Sequence, residues 1–511
     1  MTERFYVTTP IYYVNGAPHI GHAYTAVATD VIARWHRLEG DDVFFLTGTD
    51  EHGQKVEKAA RDAGLEPQAF TDQVSAKFRE MVGYMGVSND DFIRTTEERH
   101  KRGCAELWRR LRESGDIYLG QYEGWYAVRD EDFYTDDALT ILSDGTRMAP
   151  TGAPVEWVRE PNYLFRLSAW QDRLLAHYEA NPDFIGPAAK RNEVLSFVRG
   201  GLTDLSVSRT SFRWGVPVPD DPDHVMYVWL DALTNYITAL GYPDASDPRW
   251  SYWPADLHMV GKDILRFHAV YWPAFLMAAG LPVPKRVFSH GWWTVDGEKM
   301  SKSLGNVTDP RELVNEFGLD PVRFFLLREV PFGNDGDFSR RALISRMNNE
   351  LANDLGNLAQ RSLSLIAKNC GGLLPAWTQP TELDTSLLQA ATALPSVMRP
   401  NLDRQAFHDA LEDAWRVIRA ANAYIDHQAP WALRRTDLPR MEAVLRVLSE
   451  VLRSVATVLQ PFMPGSMARL LDQLAVPGHA RSFRALQEPL ADGIPQPPPQ
   501  GVFPRYVQPA A

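Results

Sequence analysis

The chain has 511 residues, which is too long for one ordinary hydrophobic core, so we expect about two to four domains. Hydrophobic residues make up 45% and charged residues 23%, and no apolar run is long enough to cross a bilayer. The two cysteines, Cys104 and Cys370, lie far apart, which excludes a disulfide framework and a cysteine-rich zinc site. The net charge of −12 argues against indiscriminate nucleic-acid binding but is compatible with a local basic face. We expect a globular protein of the cytoplasm.

Residues 10–22 predict a strand end, a tight turn and a helix start that carries two histidines. Residues 5–8 are β-rich, and residues 23–38 have helical periodicity. His19 and His22 therefore fall in the first turn of a helix, where unpaired backbone N–H groups favour an anion such as a phosphate. Taken alone, a capped helix with two surface histidines is an equally good interpretation, so the rest of the chain must decide.

Strand and helix patterns alternate in the next part of the chain. Residues 42–47 form a continuous apolar run that suits a buried parallel strand, and a polar loop over 48–53 follows. Open α/β sheets place ligand-contacting residues in such loops. The next predicted elements are a helix from Gln54, a helix over 67–85, a strand over 91–95 and a helix over 97–114. The alternation predicts an α/β fold with a parallel sheet.

The alternation stops between about residues 118 and 212, where short β-rich pieces precede an amphipathic helix over 167–181. We interpret this region as an insertion. Alternation then resumes with a helix over 227–240, a strand over 257–261, a helix over 264–279 and a strand over 287–292. The second half of the sheet therefore follows the insertion.

The remaining chain contains a polar loop and a helical region. Residues 296–306 are bounded by glycines and carry two lysines and two serines, a composition that also suits a solvated connection. From about residue 343 to 474 helical patterns and arginines dominate, which predicts a separate all-α domain. Residues 493–500 are rich in proline and are expected to be extended.

Several motifs carry a resemblance to a known family. His19-Ile-Gly-His22 precedes Lys299-Met-Ser-Lys-Ser303 on an α/β frame, and this combination resembles the class I aminoacyl-tRNA synthetases. Together with Tyr227-Val-Trp-Leu-Asp-Ala232 and Gly261-Lys-Asp-Ile264, the chain resembles the methionyl-tRNA synthetases in particular. The resemblance covers nearly the whole chain, as far as the terminal Phe503-Pro-Arg505.

The resemblance implies a Rossmann-type parallel-sheet catalytic domain, split by a connective insertion and followed by a helical-bundle domain. The expected parts are the first catalytic half over 1–117, the insertion over 118–214, the second catalytic half over 215–325, a stem-contact linker over 326–342, the anticodon-binding helical domain over 343–480 and a proline-rich extension over 481–511.

The reaction that the resemblance implies has two steps. ATP activates L-methionine to methionyl-adenylate with release of pyrophosphate, and the methionyl group then passes to the 3′ end of tRNA(Met). The methionine carboxylate has a pKa of about 3.5 and is already ionised at neutral pH, so activation needs no general base. It needs alignment, which can contribute about 7–11 kcal/mol, and donors aimed at the developing phosphate charge.

The family pattern assigns the catalytic roles to His19, His22, Lys299 and Lys302, with both lysines on a closing loop. The histidines would contact the phosphates and Lys302 the pyrophosphate side, whereas Lys299 would be a lesser partner. Asp263 would hold the ATP ribose, although it could also cap the helix that follows. The implied ATP-binding residues are His19, Gly21, His22, Gly261, Asp263, Ile264, Lys299, Met300, Ser301, Lys302 and Ser303. Mg²⁺ would accompany ATP.

The resemblance also implies a methionine pocket, in which Asp50 pairs with the α-ammonium. The expected residues are Pro10, Ile11, Tyr13, Asp50, Trp229, Ala232, Leu233, Tyr236 and His268. Aromatic edges suit a polarizable thioether, which agrees with Tyr13, Trp229 and Tyr236. Trp229 and Tyr236 are seven residues apart, so a place in the core of an ordinary helix is the alternative. Some family members have proline where this chain has Leu233.

The insertion departs from many relatives, which carry zinc-binding cysteine pairs there. Residues 122–134 contain no cysteine, so we expect no zinc and no other bound metal. The insertion would keep its shape by packing of Trp125, Tyr126 and Phe133, and would lie near the acceptor end of the tRNA.

The resemblance assigns anticodon recognition to Asn357, Arg361 and Trp431 in the helical domain. Asn357 and Arg361 are four residues apart on one helix face, and Trp431 follows Pro430 at a predicted helix start. Trp431 would stack on a base while the other two bond its edge. By sequence alone, a position in the hydrophobic core is as compatible with Trp431 as a role in recognition.

Three alternatives compete with this interpretation. A synthetase for valine or isoleucine would need a long editing insertion, which this chain lacks. A small-molecule nucleotidyltransferase would leave the helical domain unexplained. A noncatalytic tRNA-binding protein disagrees with the presence of His19, His22 and Lys302. We see no additional C-terminal oligonucleotide-binding domain, so a monomer is expected, with no membrane or DNA partner.

Overall fold

The computed structural model describes residues 3–130, 132–134, 136–295, 298–299 and 308–507. Its first part alternates strands with helices, as the sequence predicts. The elements are β1 Arg4–Thr8, β2 Tyr12–Tyr13, α1 Ile20–Glu39, β3 Asp42–Asp50, α2 Gln54–Asp62, α3 Pro67–Tyr84, β4 Asp91–Arg94 and α4 Glu98–Glu113.

The next part consists mainly of short strands. The elements of this part are β5 Ile117–Ala127, β6 Asp132–Tyr134, β7 Thr140–Ile141, β8 Arg147–Met148, β9 Glu156–Phe165, α5 Gln171–Ala180, β10 Ile185–Gly186, α6 Ala188–Arg199, β11 Leu205–Ser206, β12 Ser208–Arg209, β13 Pro217–Val218 and β14 Asp221–Met226. The long strands β5 and β9 pair along most of their length and form the central ladder of this region.

The alternation then resumes. The elements are α7 Val228–Leu233, α8 Asn235–Thr238, β15 Leu257–Gly261, a π-helical turn Phe267–Tyr271, α9 Trp272–Ala278, β16 Val287–His290, β17 Trp293–Val295, β18 Glu298–Lys299, α10 Pro310–Phe317, α11 Leu319–Arg328 and β19 Gly336–Phe338.

The last part is helical. Its helices are α12 Arg340–Arg346, a π-helical segment Met347–Gly356, α13 Asn357–Asn369, α14 Glu382–Thr392, α15 Leu394–Asp403, α16 Phe407–Gln428, α17 Pro430–Thr436, α18 Leu438–Leu459 and α19 Pro464–Gln473. Among the helices of the described ranges, none is both long and apolar enough to span a bilayer.

The main sheet has seven strands in the order β10-β16-β15-β1-β3-β2, and β4 also pairs with β3. All of these pairs are parallel. The predicted α/β class with a helical domain after it is therefore confirmed. The edge strand β10 comes from within residues 118–214, the range predicted as the insertion, so that range contributes a strand to the main sheet.

The central strands bury both faces, because side chains of a strand point alternately to opposite sides. Val43 and Phe45 of β3 belong to a core cluster that continues into the C-terminal helices. Phe44 and Leu46 belong to a second cluster on the other face, which includes residues of the insertion. The continuous apolar run of this strand therefore serves two cores.

The prediction that β3 ends at residue 47 and that 48–53 is a loop was wrong, because the strand continues to Asp50. Tyr12 and Tyr13 of β2 pair with Thr49 and Asp50, which extends the ladder. Gly48 is not a turn residue: a Cβ there would lie 2.0 Å from the carbonyl oxygen of Ile93. The glycine instead allows two strand backbones to approach closely.

Two long helices of the prediction are interrupted in the structure. The helix expected over 227–240 is divided into α7 and α8 at Thr234, whose hydroxyl donates to the carbonyl oxygen of Leu230 at 2.6 Å. Such a side-chain bond to the preceding turn competes with regular helix geometry. The helix expected over 264–279 begins with a π-helical turn before α9.

A buried arginine joins the sheet to the C-terminal helices. Arg323 of α11 donates to the Asp30 carboxylate on α1 at 2.7 Å and to the carbonyl oxygens of Met85, Pro461 and Phe462 at 2.7–3.0 Å. Burial alone would raise the pKa of Asp30, but Arg323 and a second arginine hold it below its ordinary value. One guanidinium therefore holds four chain segments together.

We expect Arg323→Ala to lower the free energy of unfolding by about 3–5 kcal/mol, because it removes one partner of a buried ion pair. Urea unfolding of the full chain measures the change. Arg4→Ala is the matched control, since its ion pair with Asp42 is exposed and 4.0 Å long. Equal unfolding midpoints for the two variants would contradict the expectation.

Candidate active site

Two adjoining cavities open where the segments after β1, β3, β15 and β16 meet, at the carboxyl ends of parallel strands. The first cavity has a volume of about 590 Å³ and the second about 470 Å³. Open α/β sheets bind their ligands in this position. Both cavities are lined by Pro10, Ile11, Tyr13, Asn15, Asp263 and Ile264, so they form one cleft.

The first cavity contains every residue that was predicted to bind methionine. Its lining includes Pro10, Ile11, Tyr13, Asp50, Trp229, Ala232, Leu233, Tyr236 and His268. Trp229 is only partly buried and its ring stacks on Phe267 with centroids 3.3 Å apart. The alternative of an ordinary core position is therefore wrong for Trp229, whereas Tyr236 is both buried and part of the cavity wall.

Hydrogen bonds fix the tautomer of His268 in that wall, and burial keeps His268 and Tyr236 neutral. His268 Nδ1 donates to the carbonyl oxygen of Ile264 at 2.9 Å, so Nε2 of the neutral ring accepts from the Tyr236 hydroxyl at 2.7 Å. Burial lowers the pKa of His268 to about 4 and raises the pKa of Tyr236 well above its ordinary value. Both groups are uncharged at neutral pH, which suits an uncharged substrate side chain.

The second cavity contains the predicted nucleotide residues whose side chains the structure describes. They are His19, Gly21, His22, Gly261, Asp263 and Ile264. The cavity lies at the N-terminal end of α1, which is favourable for an anion.

The two histidines close the first turn of α1. His19 Nδ1 accepts from the backbone N–H of Gly21, and His22 Nδ1 accepts from the backbone N–H of His19, both at 3.1 Å. A neutral imidazole that accepts at Nδ1 carries its proton on Nε2, so each ring is a donor at that atom. Burial, followed by the charge of His19, holds the pKa of His22 well below its ordinary value. Gly21 is required here, since a Cβ would lie 2.9 Å from the His19 ring.

Asp263 lies between the two cavities. The Trp292 indole N–H donates to its carboxylate at 3.3 Å. The alternative that Asp263 caps the next helix was wrong, because the 3₁₀ turn Lys262–Ile264 already includes it and starts from Gly261. Its carboxylate is thus part of the cleft.

Part of the predicted site cannot be placed. Met300, Ser301, Lys302 and Ser303 lie outside the described residues. Lys299 is described only through its backbone, which pairs with Thr294 in the short ladder between β17 and β18.

Sequence reasoning missed several residues that line the cleft. In the first cavity they are Asn15, Lys55, Arg129, Asp130, Tyr134, Thr151, Val228, Asn235 and Phe267, and in the second they include Thr25, His290 and Trp292. His290 ends β16 and Trp292 follows it, so the rule about carboxyl ends of strands could have identified both. The insertion residues gave no comparable signal.

The insertion packs partly as predicted. Tyr126 is buried and the guanidinium of Arg209 lies 4.2 Å from its ring centroid. Trp125 is partly buried and meets Trp157 edge-on at 5.1 Å. The side chain of Phe133 is not among those that the structure describes.

The predicted anticodon residues lie together in the helical domain. Asn357 is exposed at the start of α13, and the Arg361 guanidinium lies 5.0 Å from the ring centroid of Trp431. Arg361 also pairs with Asp426 at 2.5 Å. The alternative of a core position for Trp431 was wrong, since 41% of the residue is exposed on α17.

This fold and cleft define a class I aminoacyl-tRNA synthetase, and comparisons with known proteins agree. A family model described as tRNA synthetases class I (M) matches residues 5–363, and one described as the anticodon binding domain of methionyl tRNA ligase matches residues 374–505. A methionine–tRNA ligase of Mesorhizobium japonicum is 57% identical over 99% of this chain and 98% of its own length. One of Rickettsia bellii is 55% identical over 99% of this chain and all of its own length.

Solved structures are equally similar. Mycobacterium tuberculosis methionyl-tRNA synthetase in complex with methionyl-adenylate superposes with a TM-score of 0.97 at 53% identity, covering 99% of this chain and 100% of the other. Its free form gives a TM-score of 0.91 at 50% identity, over 100% of this chain and 99% of the other. The chain belongs to the methionyl-tRNA synthetase family. It activates L-methionine with ATP and transfers the methionyl group to tRNA(Met), as the resemblance implied.

The buried His268 should make the stability of the protein depend on pH. Its pKa in the folded protein is about 4, below the ordinary 6.5, so folding favours the neutral ring and this stabilisation is lost as pH falls from 6.5 towards 4. We expect the difference in unfolding free energy between wild type and His268→Gln to shrink by about 3 kcal/mol between pH 7 and pH 4.

Urea unfolding at both pH values measures this. His479→Gln, at an exposed position, is the control and should change little. A wild-type advantage over His268→Gln that stays constant across this pH range would contradict the assignment of a neutral, buried ring.

Proposed function

We propose that methionine occupies the first cavity and ATP the second, with the reacting carboxylate and α-phosphate near the shared wall. The observation that supports this most is that Asp263 and residues of the segment after β1 line both cavities, so two bound substrates would meet there. Attack by the carboxylate on the α-phosphorus then releases pyrophosphate, and alignment of the two substrates accounts for much of the acceleration.

The phosphate charge in this step would be stabilised by the start of α1. We assign His19 and His22 to the phosphates because both rings are donors at Nε2 and both line the second cavity. A neutral donor already held by the helix needs little reorganisation when charge develops on the phosphate. By family pattern, Lys302 would act on the pyrophosphate and Lys299 would assist, together with Met300, Ser301 and Ser303 on the nucleotide.

The remaining substrate contacts follow from the same cleft. Asp50, at the end of β3, would pair with the α-ammonium, and Asp263 would hold the ribose. Tyr13, Trp229 and Tyr236 would surround the thioether, which gains from contact with aromatic rings. Because one methylene is worth only about 1–3 kcal/mol, close analogues of methionine should be rejected imperfectly.

Metals and cellular location remain proposals. Mg²⁺ would enter with ATP and be held by its phosphates, since the clusters of three potential metal ligands found among the described residues do not line the second cavity. We propose a zinc-free insertion, because its sequence has no cysteine. A monomer acting in the cytoplasm, with tRNA(Met) as its nucleic-acid partner, stays a prediction.

We expect Tyr236→Phe to raise the KM for methionine in pyrophosphate exchange, by the equivalent of about 1–3 kcal/mol, while the KM for ATP stays within a factor of about two. The variant leaves the buried Nε2 of His268 without its donor. Tyr242→Phe is the control, because that buried hydroxyl has no hydrogen-bond partner among the described residues and lies outside both cavities. An unchanged KM for methionine in Tyr236→Phe would contradict the pocket assignment, and activation of isoleucine equal to that of methionine would contradict the function.

We further propose that Trp431 stacks on an anticodon base, with Asn357 and Arg361 bonding its edge. The exposed ring beside Arg361 supports this. Stacking on an aromatic side chain is worth about 1–3 kcal/mol per base. We expect Trp431→Ala to lower kcat/KM for tRNA charging about 5–150-fold and to leave pyrophosphate exchange unchanged.

Leu438→Ala is the matched control, because Leu438 is an exposed apolar residue at the start of the neighbouring α18. Equal loss of charging and exchange in Trp431→Ala would mean that the tryptophan has a structural role only.

A further inference from the structure

A buried polar cluster lies behind the wall of the methionine cavity. The carboxylate of Asp231 accepts from His52 Nδ1 at 2.7 Å on one oxygen and from His100 Nε2 at 2.8 Å on the other. Asp231 is 1% exposed, His52 4% and His100 0%. Because a carboxylate of this kind can only accept, both ring nitrogens that face it carry protons.

The two histidines keep the Asp231 carboxylate ionised. Burial alone would raise the pKa of Asp231, but the two histidines hold it well below its ordinary value. The carboxylate is therefore ionised, and each of its oxygens has a hydrogen-bond donor. Removing the carboxylate would leave the buried N–H groups at His52 Nδ1 and His100 Nε2 without this acceptor.

Two of the three side chains belong to separate segments of the cavity wall. Asp231 lies on α7 between Trp229 and Ala232, which both line the cavity. His52 follows β3 two residues after Asp50, which also lines it. The carboxylate thus joins the segment proposed to hold the substrate ammonium to the segment proposed to hold its side chain.

His100 adds a third segment. It lies on α4, which packs against α8, and its Nδ1 is 3.1 Å from the hydroxyl of Thr238 on that helix. Helix α8 also carries the cavity residues Asn235 and Tyr236. Two sides of the cavity and the helix behind them are therefore tied to one carboxylate.

None of the three clustered side chains is part of the lining of either cavity, so they act on a substrate only through their neighbours. Cys104 lies close by, with its sulfur 3.2 Å from His100 Nε2, and could complete a metal site with His100 and Asp231. Burial raises the pKa of the Cys104 thiol, which disfavours the thiolate that a metal needs. His100 Nε2 already donates to Asp231, so hydrogen bonding accounts for the cluster.

We propose that Asp231 is a positioning residue for methionine: by bonding His52 and His100 it sets the distance between the Asp50 segment and the Trp229 wall. This inference rests on the proposed assignment of the first cavity to methionine. A shift of a binding group by about 1 Å can cost two orders of magnitude in rate. The effect should fall on methionine and not on ATP, since the cluster lies behind the first cavity only.

Pyrophosphate exchange with Asp231→Ala and Asp231→Asn tests the proposal. We expect Asp231→Ala to raise the KM for methionine at least about tenfold and to change the KM for ATP less than about twofold. Asp231→Asn should recover part of the loss, because an amide can accept from one ring and donate to the other after that ring changes its tautomer. The control is Asp384→Ala, a buried carboxylate of the helical domain bonded by Arg440 and Tyr424. It should lower stability and leave both KM values unchanged.

An unchanged KM for methionine in Asp231→Ala, or equal increases for both substrates, would overturn the proposal. If Asp231→Ala does not fold, Asp231→Asn alone decides, and a KM for methionine within about twofold of wild type would overturn it. Stoichiometric metal in the wild type that Asp231→Asn loses would overturn it in favour of a metal site. Tyr236→Phe distinguishes failure of the methionine assignment from failure of the Asp231 proposal. If Tyr236→Phe raises the KM for methionine and Asp231→Ala does not, the pocket assignment stands and only the positioning role of Asp231 fails.

Discussion

Two imidazole nitrogens close the first turn of α1, and the rest of the molecule is built around this helix. His19 and His22 use Nδ1 to satisfy backbone N–H groups at the helix start, which directs the proton of each neutral ring to Nε2. Capping and the proposed phosphate binding would therefore use different atoms of the same side chains. The helix packs against β1, β3 and β15, and Asp30 in its middle receives Arg323 from α11. A change at the helix start would thus reach both the sheet and the C-terminal helices.

The two cavities of the cleft differ in their electrostatic character. In the second cavity the helix start offers donors to an anion, whereas in the first cavity His268 is neutral and bonded to Tyr236. Burial is the cause in both places, because it keeps the pKa of His22 and His268 low. An uncharged aromatic wall can select an apolar side chain by size and contact but offers it no ion pair. Selection by the residues proposed to read the anticodon, which lie on other helices, would add to this limited discrimination.

Part of the site could be predicted because its residues lie at strand ends. Asp50 ends β3 and Asp263 follows β15, where an open α/β sheet brings separate segments together. Trp229 and Tyr236 follow β14 of a separate antiparallel sheet, so only the family resemblance predicted them. Contacts between residues far apart in the sequence could not be predicted in this way. Arg129 lines the methionine cavity only because the insertion folds back onto the sheet, and Asp231 meets His100 across 131 positions of sequence. Glycine was ambiguous as well, since the close approach of two strands at Gly48 and a turn require the same residue.

The most direct test of this account separates the two roles of His19. Asparagine is among the best helix N-caps, so His19→Asn should keep α1 intact while removing the Nε2 donor. The measurement is the single-turnover rate of methionyl-adenylate formation, together with the unfolding midpoint. We predict a rate lowered about 10²–10³-fold, as for loss of one preorganised donor, with an unchanged midpoint. An unchanged rate with a lowered midpoint would show that His19 only caps the helix, and would contradict the account.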